Sequence, residues 1–378
     1  MKAAEQVIVV GGGATGLSAA AALSRRGVDA LVLDRDDRVG GTWARRYDRL
    51  HLHTIRQFSG LAHYPVPRRH PRYLSKDEYA EYLKDYAEHF QMRILLGERV
   101  TAVRPGAQGS WEVETADRTR TTRIVIIATG HYTEPRLPVW EGAAEFRGPI
   151  IHSSAYRSGR DFRGQRALVV GLGNSGAEIA ADLVEQGAAS VAIAVRTPPP
   201  IVTREVLGVL PTQLFGIALM PLGFPHVIDR VGAALRRRSV GDLRPYGIEE
   251  ASWGPFTAKR PAVIDVGFLD VLRSGRVTVR PALTSFTERG VRYSDGSQDA
   301  VDVVVAATGF TTGLARLLTE VPGIVGSTGE PLGRSGQPTA APGLYLLGFD
   351  ETVRGHLFEA HRESKRLART VARALKQV

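Results

Sequence analysis

The sequence predicts an α/β protein made of two Rossmann-like units, the second inserted into the first. Three observations carry this. An apolar run, Gln6 to Val10, meets Gly11-Gly12-Gly13-Ala14-Thr15-Gly16 and then an alanine-rich helix pattern to Arg26. The same order returns at Arg166 to Val170, followed by Gly171-Leu172-Gly173-Asn174-Ser175-Gly176 and a helix pattern from Ala177 to Gln186. Each copy is closed later by an apolar strand ending on one tripeptide: Ile124 to Ile127 before Ala128-Thr129-Gly130, and Val303 to Ala306 before Ala307-Thr308-Gly309.

Within each copy the elements follow from local chemistry. Gly27 and Gly187 suit the left-handed position that ends a helix. Val28 to Leu33 and Ser190 to Val195 read as the paired strands, ending at Asp34 and Arg196. Alternation around Ile94 to Glu114 and Val277 to Tyr293 has the period of strands. In such a turn the first glycine permits the bend, the second lets backbone approach a pyrophosphate, and the third lets helix pack on strand. Phosphate then meets the unpaired N–H groups of the helix start. Two dinucleotide sites are therefore expected.

Composition narrows the class. A chain of 378 residues exceeds one ordinary domain, and 43% apolar with 23% charged residues is globular. With no cysteine, disulfides, thiolate metal sites, iron–sulfur clusters and a redox dithiol are excluded. The net charge of +10 raises nucleic acid or an anionic membrane as partners. Its basic residues are scattered and do not interleave with aromatics, so positive potential for anionic cofactors is the expectation, with no nucleic acid. The start of the chain has no charged segment followed by an apolar one, and a cytoplasmic location is expected.

Val206 to Ile228 contains no Asp, Glu, Lys or Arg, but Gly208, Pro211, Gly216, Pro221, Gly223 and Pro225 break it. No integral membrane segment is expected; helices covering a substrate cavity are the first reading and shallow membrane contact the second. His51 and His53 can share a strand face, yet no third ligand accompanies them, so no metal is expected.

The residue ending the second strand of each unit separates the ligands. Asp34, with Arg35 beside it, can accept from both ribose hydroxyls of an adenosine but repels a 2′-phosphate, which suits FAD or NAD. Arg196 suits a phosphate dianion and hence NADP(H). Together they favour one FAD and one NADPH. Gly41-Thr42-Trp43 supplies backbone and an aromatic ring for the flavin. Near the C-terminus a strand, Gly343 to Gly348, precedes Asp350, and Gly355-His356-Leu357 opens a helix whose N-terminus can stabilise negative charge on a reduced flavin.

Phe146-Arg147-Gly148-Pro149-Ile150-Ile151-His152-Ser153-Ser154-Ala155-Tyr156 matches FxGxxxHxxxY and lies between the two glycine motifs. In this the chain resembles the class B flavin monooxygenases. The ending Tyr156-Arg157 looks like the N-hydroxylating, flavin-containing and YUCCA-type branch, and Tyr47 to His53, Arg56-Gln57-Phe58, the second glycine motif and Ala307-Thr308-Gly309-Phe310 are similar to the YUCCA type, from which Asp350 to Val353 departs because the YUCCA pattern is shorter there. The resemblance implies that NADPH reduces FAD, that oxygen adds to the flavin as a C4a-(hydro)peroxide, and that retained NADP⁺ shields it. It also implies an aromatic 2-oxo acid, decarboxylated oxidatively, with N- or S-oxygenation and uncoupled NADPH oxidation as alternatives. Arg56 and Gln57 would approach the flavin, Arg56 holding the peroxide or a substrate carboxylate, or else serving as a surface or phosphate-binding arginine. His152 and Tyr156 would either position NADP⁺ or form a hinge. Residues 1–157 and 312–378 would form the FAD domain and 158–311 the NADPH domain. The apolar segment near 202–261, with Trp253 and Phe256, would line the cavity for a hydrophobic or aromatic small molecule that reacts with O2. A homodimer is compatible with this reading.

Overall fold

A computed structural model describes residues 5–206, 208–350 and 352–376. Strand β1 (Glu5–Val10) passes through the first glycine turn into helix α1 (Ala14–Ser24), and β2 (Ala30–Leu33) returns parallel to β1. Val7 to Val10 and Ala30 to Leu33 are all buried, as strands covered on both faces must be. Helix α2 (Lys76–His89) starts at a capping box, Ser75 with Glu78, and buries Tyr79, Tyr82, Leu83 and Tyr86 against Leu17 and Ala21 of α1. Then follow β3 (Arg93–Leu95), parallel to β2, and the antiparallel meander β4 (Val100–Pro105), β5 (Trp111–Thr115) and β6 (Thr119–Ile127), whose last strand lies parallel to β1.

The second unit repeats the plan. It contains β7 (Ile150–His152), β8 (Arg166–Val170), helix α3 (Asn174–Glu185) and β9 (Ser190–Ala194). The helices α4 (Thr212–Leu219) and α5 (Pro225–Ser239) are the longest of those that intervene before β10 (Val277–Arg280). The meander β11 (Leu283–Thr287), β12 (Gly290–Tyr293) and β13 (Gln298–Ala300) leads to β14 (Val303–Ala306). Its parallel sheet has the order β10-β9-β8-β14-β7.

The chain then returns to the first sheet. Strand β15 (Leu344–Leu346) pairs in parallel with Val125–Ile127 of β6. The closing helix α6 (His356–Lys376) packs Leu367, Ala368 and Val371 on Ala19, Ala20 and Ala22 of α1, whose small side chains permit the close approach. Each sheet thus takes its outer strand beside β6 or β14 from a distant part of the chain. The expected boundary after residue 157 falls behind β7, which pairs with β14 in the second sheet.

Between the units a short strap, Glu134–Pro135 antiparallel to Phe310–Thr311, is reinforced by Arg136 N–H to the Gly309 carbonyl at 3.0 Å and by the Glu134–Arg316 ion pair at 2.7 Å.

Tyr156 is fully buried, stacks with Phe162, and donates its hydroxyl to Asp182 of α3 at 2.6 Å; the same carboxylate oxygen accepts from Gly159 N–H at 2.7 Å. This geometry favours the hinge reading of Tyr156 over cofactor contact. Tyr156→Phe is expected to lower the stability of the second unit by about 1–2 kcal/mol in urea unfolding, with KM for NADPH unchanged. A rise in KM without loss of stability would return the hydroxyl to the cofactor.

Candidate cofactor and active site

The two glycine turns have the same geometry. Gly11 and Gly171 have φ of 105° and 103°, and a Cβ on either would lie 2.7 Å from a carbonyl oxygen, of Ala128 and of Ala307 respectively. A Cβ on Gly16 would lie 1.8 Å from the Gly11 carbonyl oxygen, and one on Gly176 1.9 Å from that of Gly171. Gly13 and Gly173 differ from these, since nothing lies within 4 Å of a Cβ built on them. Both are the N-caps of their helices, without a side-chain cap, so unpaired N–H groups face open space at each turn. A pyrophosphate fits there.

Asp34 follows β2 and accepts from Gly12 N–H and, at 2.7 Å, from Asp36 N–H. Burial raises its pKa, against the lowering by those two hydrogen bonds. Arg35 is exposed and reaches the Thr133 carbonyl at 3.5 Å. Arg196 follows β9, also exposed, and among the described residues no carboxylate pairs with it. In the short helix Gly41–Ala44, Thr42 donates to Asp36 at 2.9 Å and Trp43 meets Tyr79 edge-on at 4.8 Å. Asp36 also pairs with Arg45, so this loop is braced from within.

At the carboxyl ends of β6 and β15 the rings of both units converge. His131 lies 5.7 Å from Phe349 and 5.4 Å from His356, while Phe310 lies 5.6 Å from Tyr132 and 4.8 Å from His152. Arg46 stands over Phe310 at 5.6 Å, and burial lowers its pKa. Three buried polar atoms in these segments, Thr129 Oγ1, His131 Nε2 and His356 Nε2, lack a hydrogen-bond partner among the described residues. Buried polar groups are normally satisfied, so this edge suits a polar ligand such as a flavin.

Several expected residues have other duties. Arg56 uses Nη1 on the carbonyls of Arg68, at 2.9 Å, and His70, tying down a loop, and Gln57 beside it is exposed. His152 accepts at Nδ1 from Ser154 N–H at 3.1 Å, and its Nε2 donates to the Gly309 carbonyl at 2.9 Å. Burial lowers its pKa, so the ring is neutral and both nitrogens are occupied. Asn174 Oδ1 accepts from Ile264 N–H at 2.7 Å, Ser175 meets Tyr47, and Thr308 donates to the Arg136 carbonyl. Asp350 accepts from Ser335 N–H at 3.3 Å, and Leu357 is buried behind His356. Gly130 and Gly309 both take left-handed φ, 78° and 85°. Glu351, inside the Asp350 to Val353 departure, lies outside the described residues.

A cavity of about 490 Å³ opens between the units, lined by Arg49, Arg72, Tyr73, Arg204 and Glu178 among others. Arg204 lies over the Tyr73 ring at 4.1 Å, and His53 Nε2 lies 3.0 Å from Glu178. Sequence reasoning missed these arginines, together with Arg46, His131 and Tyr132. A signal existed for the last two, which directly follow Ala128-Thr129-Gly130 at a strand exit.

A family model described as pyridine nucleotide-disulphide oxidoreductase matches residues 8–205. Indole-3-pyruvate monooxygenase YUCCA1 of Oryza sativa subsp. japonica is 34% identical over 367 residues, covering 93% of this chain and 87% of its own. The chain belongs to the class B flavin monooxygenase family. The probable indole-3-pyruvate monooxygenase YUCCA1 of Arabidopsis thaliana is also 34% identical, over 93% of this chain and 86% of its own. Among solved structures, a flavin-containing monooxygenase from Stenotrophomonas maltophilia is 25% identical with a TM-score of 0.73, covering 97% of each chain. The cyclohexanone monooxygenase from Rhodococcus sp. Phi1 bound to NADP⁺ shares the fold, with a TM-score of 0.75 at 20% identity over 98% of this chain and 84% of its own. This monooxygenase is thus an enzyme of a family that works with FAD and NADPH. What it shares with the disulphide oxidoreductases is the two-unit frame, since it has no cysteine for their dithiol.

His356 has its pKa pushed down to about 4, first by burial and then by His131. The folded state keeps it neutral, whereas the unfolded chain protonates it near its ordinary 6.5. Its stabilising contribution is present above 6.5 and is lost as pH falls toward 4. His356→Asn is expected to remove on the order of 1–2 kcal/mol of the stability lost between about pH 7 and pH 5. Thermal unfolding at the two pH values reads this; an undiminished drop in the variant assigns the acid sensitivity elsewhere.

Proposed function

We propose that residues 1–157 and 312–378, less β7, hold FAD, that residues 158–311 with β7 hold NADPH, and that the substrate is an aromatic 2-oxo acid decarboxylated oxidatively. The observation that carries the cofactor assignment is the contrast of Asp34 with Arg196 behind two turns of equal geometry. For the substrate, support comes from the 34% identity with a relative named for indole-3-pyruvate and from the cavity where Arg204 lies over the Tyr73 ring, beside an Arg72 that Glu205 already pairs. Arginines suit a carboxylate, and the aromatic ring suits an aromatic substrate.

The balance is simple. One atom of O2 enters the new carboxyl group and the other leaves as water, the old carboxyl departs as CO2, and NADPH supplies two electrons. Bound FAD, once reduced, supplies the oxygen activation. The protein contributes placement and charge. Unpaired N–H groups at the two helix starts hold the pyrophosphates, Asp34 the adenosine ribose, and Arg196 the 2′-phosphate. Arg46, half-buried against Phe310, takes over the electrostatic role that the sequence suggests for Arg56. Arg56 and His152 become positioning residues, the first for the 68–70 loop and the second for the strap at Gly309.

Arg196→Ala is expected to raise KM for NADPH about 10- to 100-fold while leaving that for NADH nearly unchanged. Equal loss for both coenzymes removes the 2′-phosphate assignment. Mass spectrometry of products from aromatic 2-oxo acids, amines and thioethers, run with NADPH and labelled oxygen, tests the substrate class. The expected product is the shortened acid carrying one labelled oxygen, with one CO2 per NADPH. A mass gain without CO2 means N- or S-oxygenation, and peroxide equal to NADPH for every compound means an oxidase.

A further inference from the structure

Helix α5 has no fully buried residue. Its half-buried side consists of Pro225, Ile228, Asp229, Ala233 and Arg236. Asp229 looks inward and caps the short helix Pro255–Ala258, accepting from the N–H groups of Phe256 at 3.0 Å and Thr257 at 2.8 Å. On the opposite side, Val227, Val231 and Leu235 form one row at helical spacing, exposed by 57%, 55% and 52%. The turn ahead adds Leu222 at 57% and Phe224 at 67%. Arg230, Arg237 and Arg238 flank this row, all exposed, with Arg237 paired to Glu250 at 3.0 Å. Asp229 is the one carboxylate of the helix and faces inward, so the helix itself presents an apolar and cationic outward face, and the acid paired with an arginine of that face, Glu250 on Arg237, comes from outside the helix.

An exposed aliphatic row of this length marks a contact surface. Among the described residues no helix is long and apolar enough to cross a membrane. A helix with aliphatic residues flanked by arginines instead suits the headgroup layer, where the row enters the acyl boundary and the guanidiniums meet phosphates. We propose that α5 lays this face on an anionic lipid surface, binding it peripherally. Charge selects lipid over a second copy of the chain. Two α5 helices packed face to face would oppose arginine to arginine with no helix carboxylate between them, whereas anionic headgroups answer those charges. The net charge of +10 acts in the same direction.

The neighbouring helix leaves α5 free to do this. Gln213 of α4 accepts from Ile55 N–H at 3.0 Å and donates to the Arg354 carbonyl at 2.9 Å, while Gly216 sits against the Val353 carbonyl. The segment 212–239 therefore has an inner half fastened to the first unit and an outer half facing away.

Sedimentation of the FAD-loaded enzyme with vesicles tests this, comparing phosphatidylcholine alone with an equal mixture of phosphatidylcholine and phosphatidylglycerol. Binding is expected for the mixture only, with release at high salt. Val231→Ser with Leu235→Ser, and separately Arg230→Glu with Arg238→Glu, should each lower partitioning at least about tenfold. Flavin content and the rate of NADPH oxidation without lipid should stay unchanged in both, showing that they fold. Failure of the wild type to bind the mixed vesicles, or undiminished binding by the serine variant, overturns the proposal. So does a lipid-free dimer in sedimentation velocity that becomes a monomer in the serine variant, which would assign the face to a second copy.

Discussion

The close approach of two carbonyls to two glycines is the constraint on which the rest depends. Ala128 and Ala307 directly follow the strands beside β1 and β8, and their oxygens occupy the space that a side chain at Gly11 or Gly171 would need. Each turn can therefore bend toward its helix only while its two strands stay paired in this register. Gly16 and Gly176 complete the restriction by seating the helix on the turn itself. Sheet pairing, helix placement and the direction of the unpaired N–H groups are three consequences of one contact. Gly13 and Gly173, which face open space, are then the places left for a phosphate.

The junction of the units follows from where those strands end. Both tripeptides lie at carboxyl edges, and the strap 134–135 with 310–311 ties the two edges together. His152 adds a hydrogen bond from the outer strand of the second sheet to Gly309 in that strap. Aromatic rings from 131–132, 310, 349 and 356 then meet in one place, and Arg46 brings a cation to it. A reacting flavin and a nicotinamide must also meet, and this is the edge where ligands of both units can do so. Its partly desolvated charge and orphaned polar atoms carry a stability cost that a cofactor bound there would offset.

Much of the frame was legible because it is local. The glycine turns, their strands, the two tripeptides and the stops at Gly27 and Gly187 each need only neighbouring residues, and both copies carry the same pattern. The side-chain duties were far less legible. Arg56 and Tyr156 fit a family pattern, yet their partners are the carbonyls of 68 and 70 and the carboxylate of Asp182, which motif spacing does not reveal. Arg46 went unnoticed because its neighbour Phe310 lies in the other unit. The apolar segment near 202–261 read as one cavity lining, whereas α4 turns inward and α5 outward.

By itself the sequence determined that the chain makes two dinucleotide turns and that one is followed by a carboxylate and the other by a guanidinium. Those properties rest on backbone conformation and on residue charge, which adjacent residues specify. Only the tertiary structure decided which cation reaches the junction, which strand completes each sheet and which face of α5 is left uncovered. Such choices depend on packing between segments more than a hundred residues apart, where many residues of the right type compete and geometry selects among them.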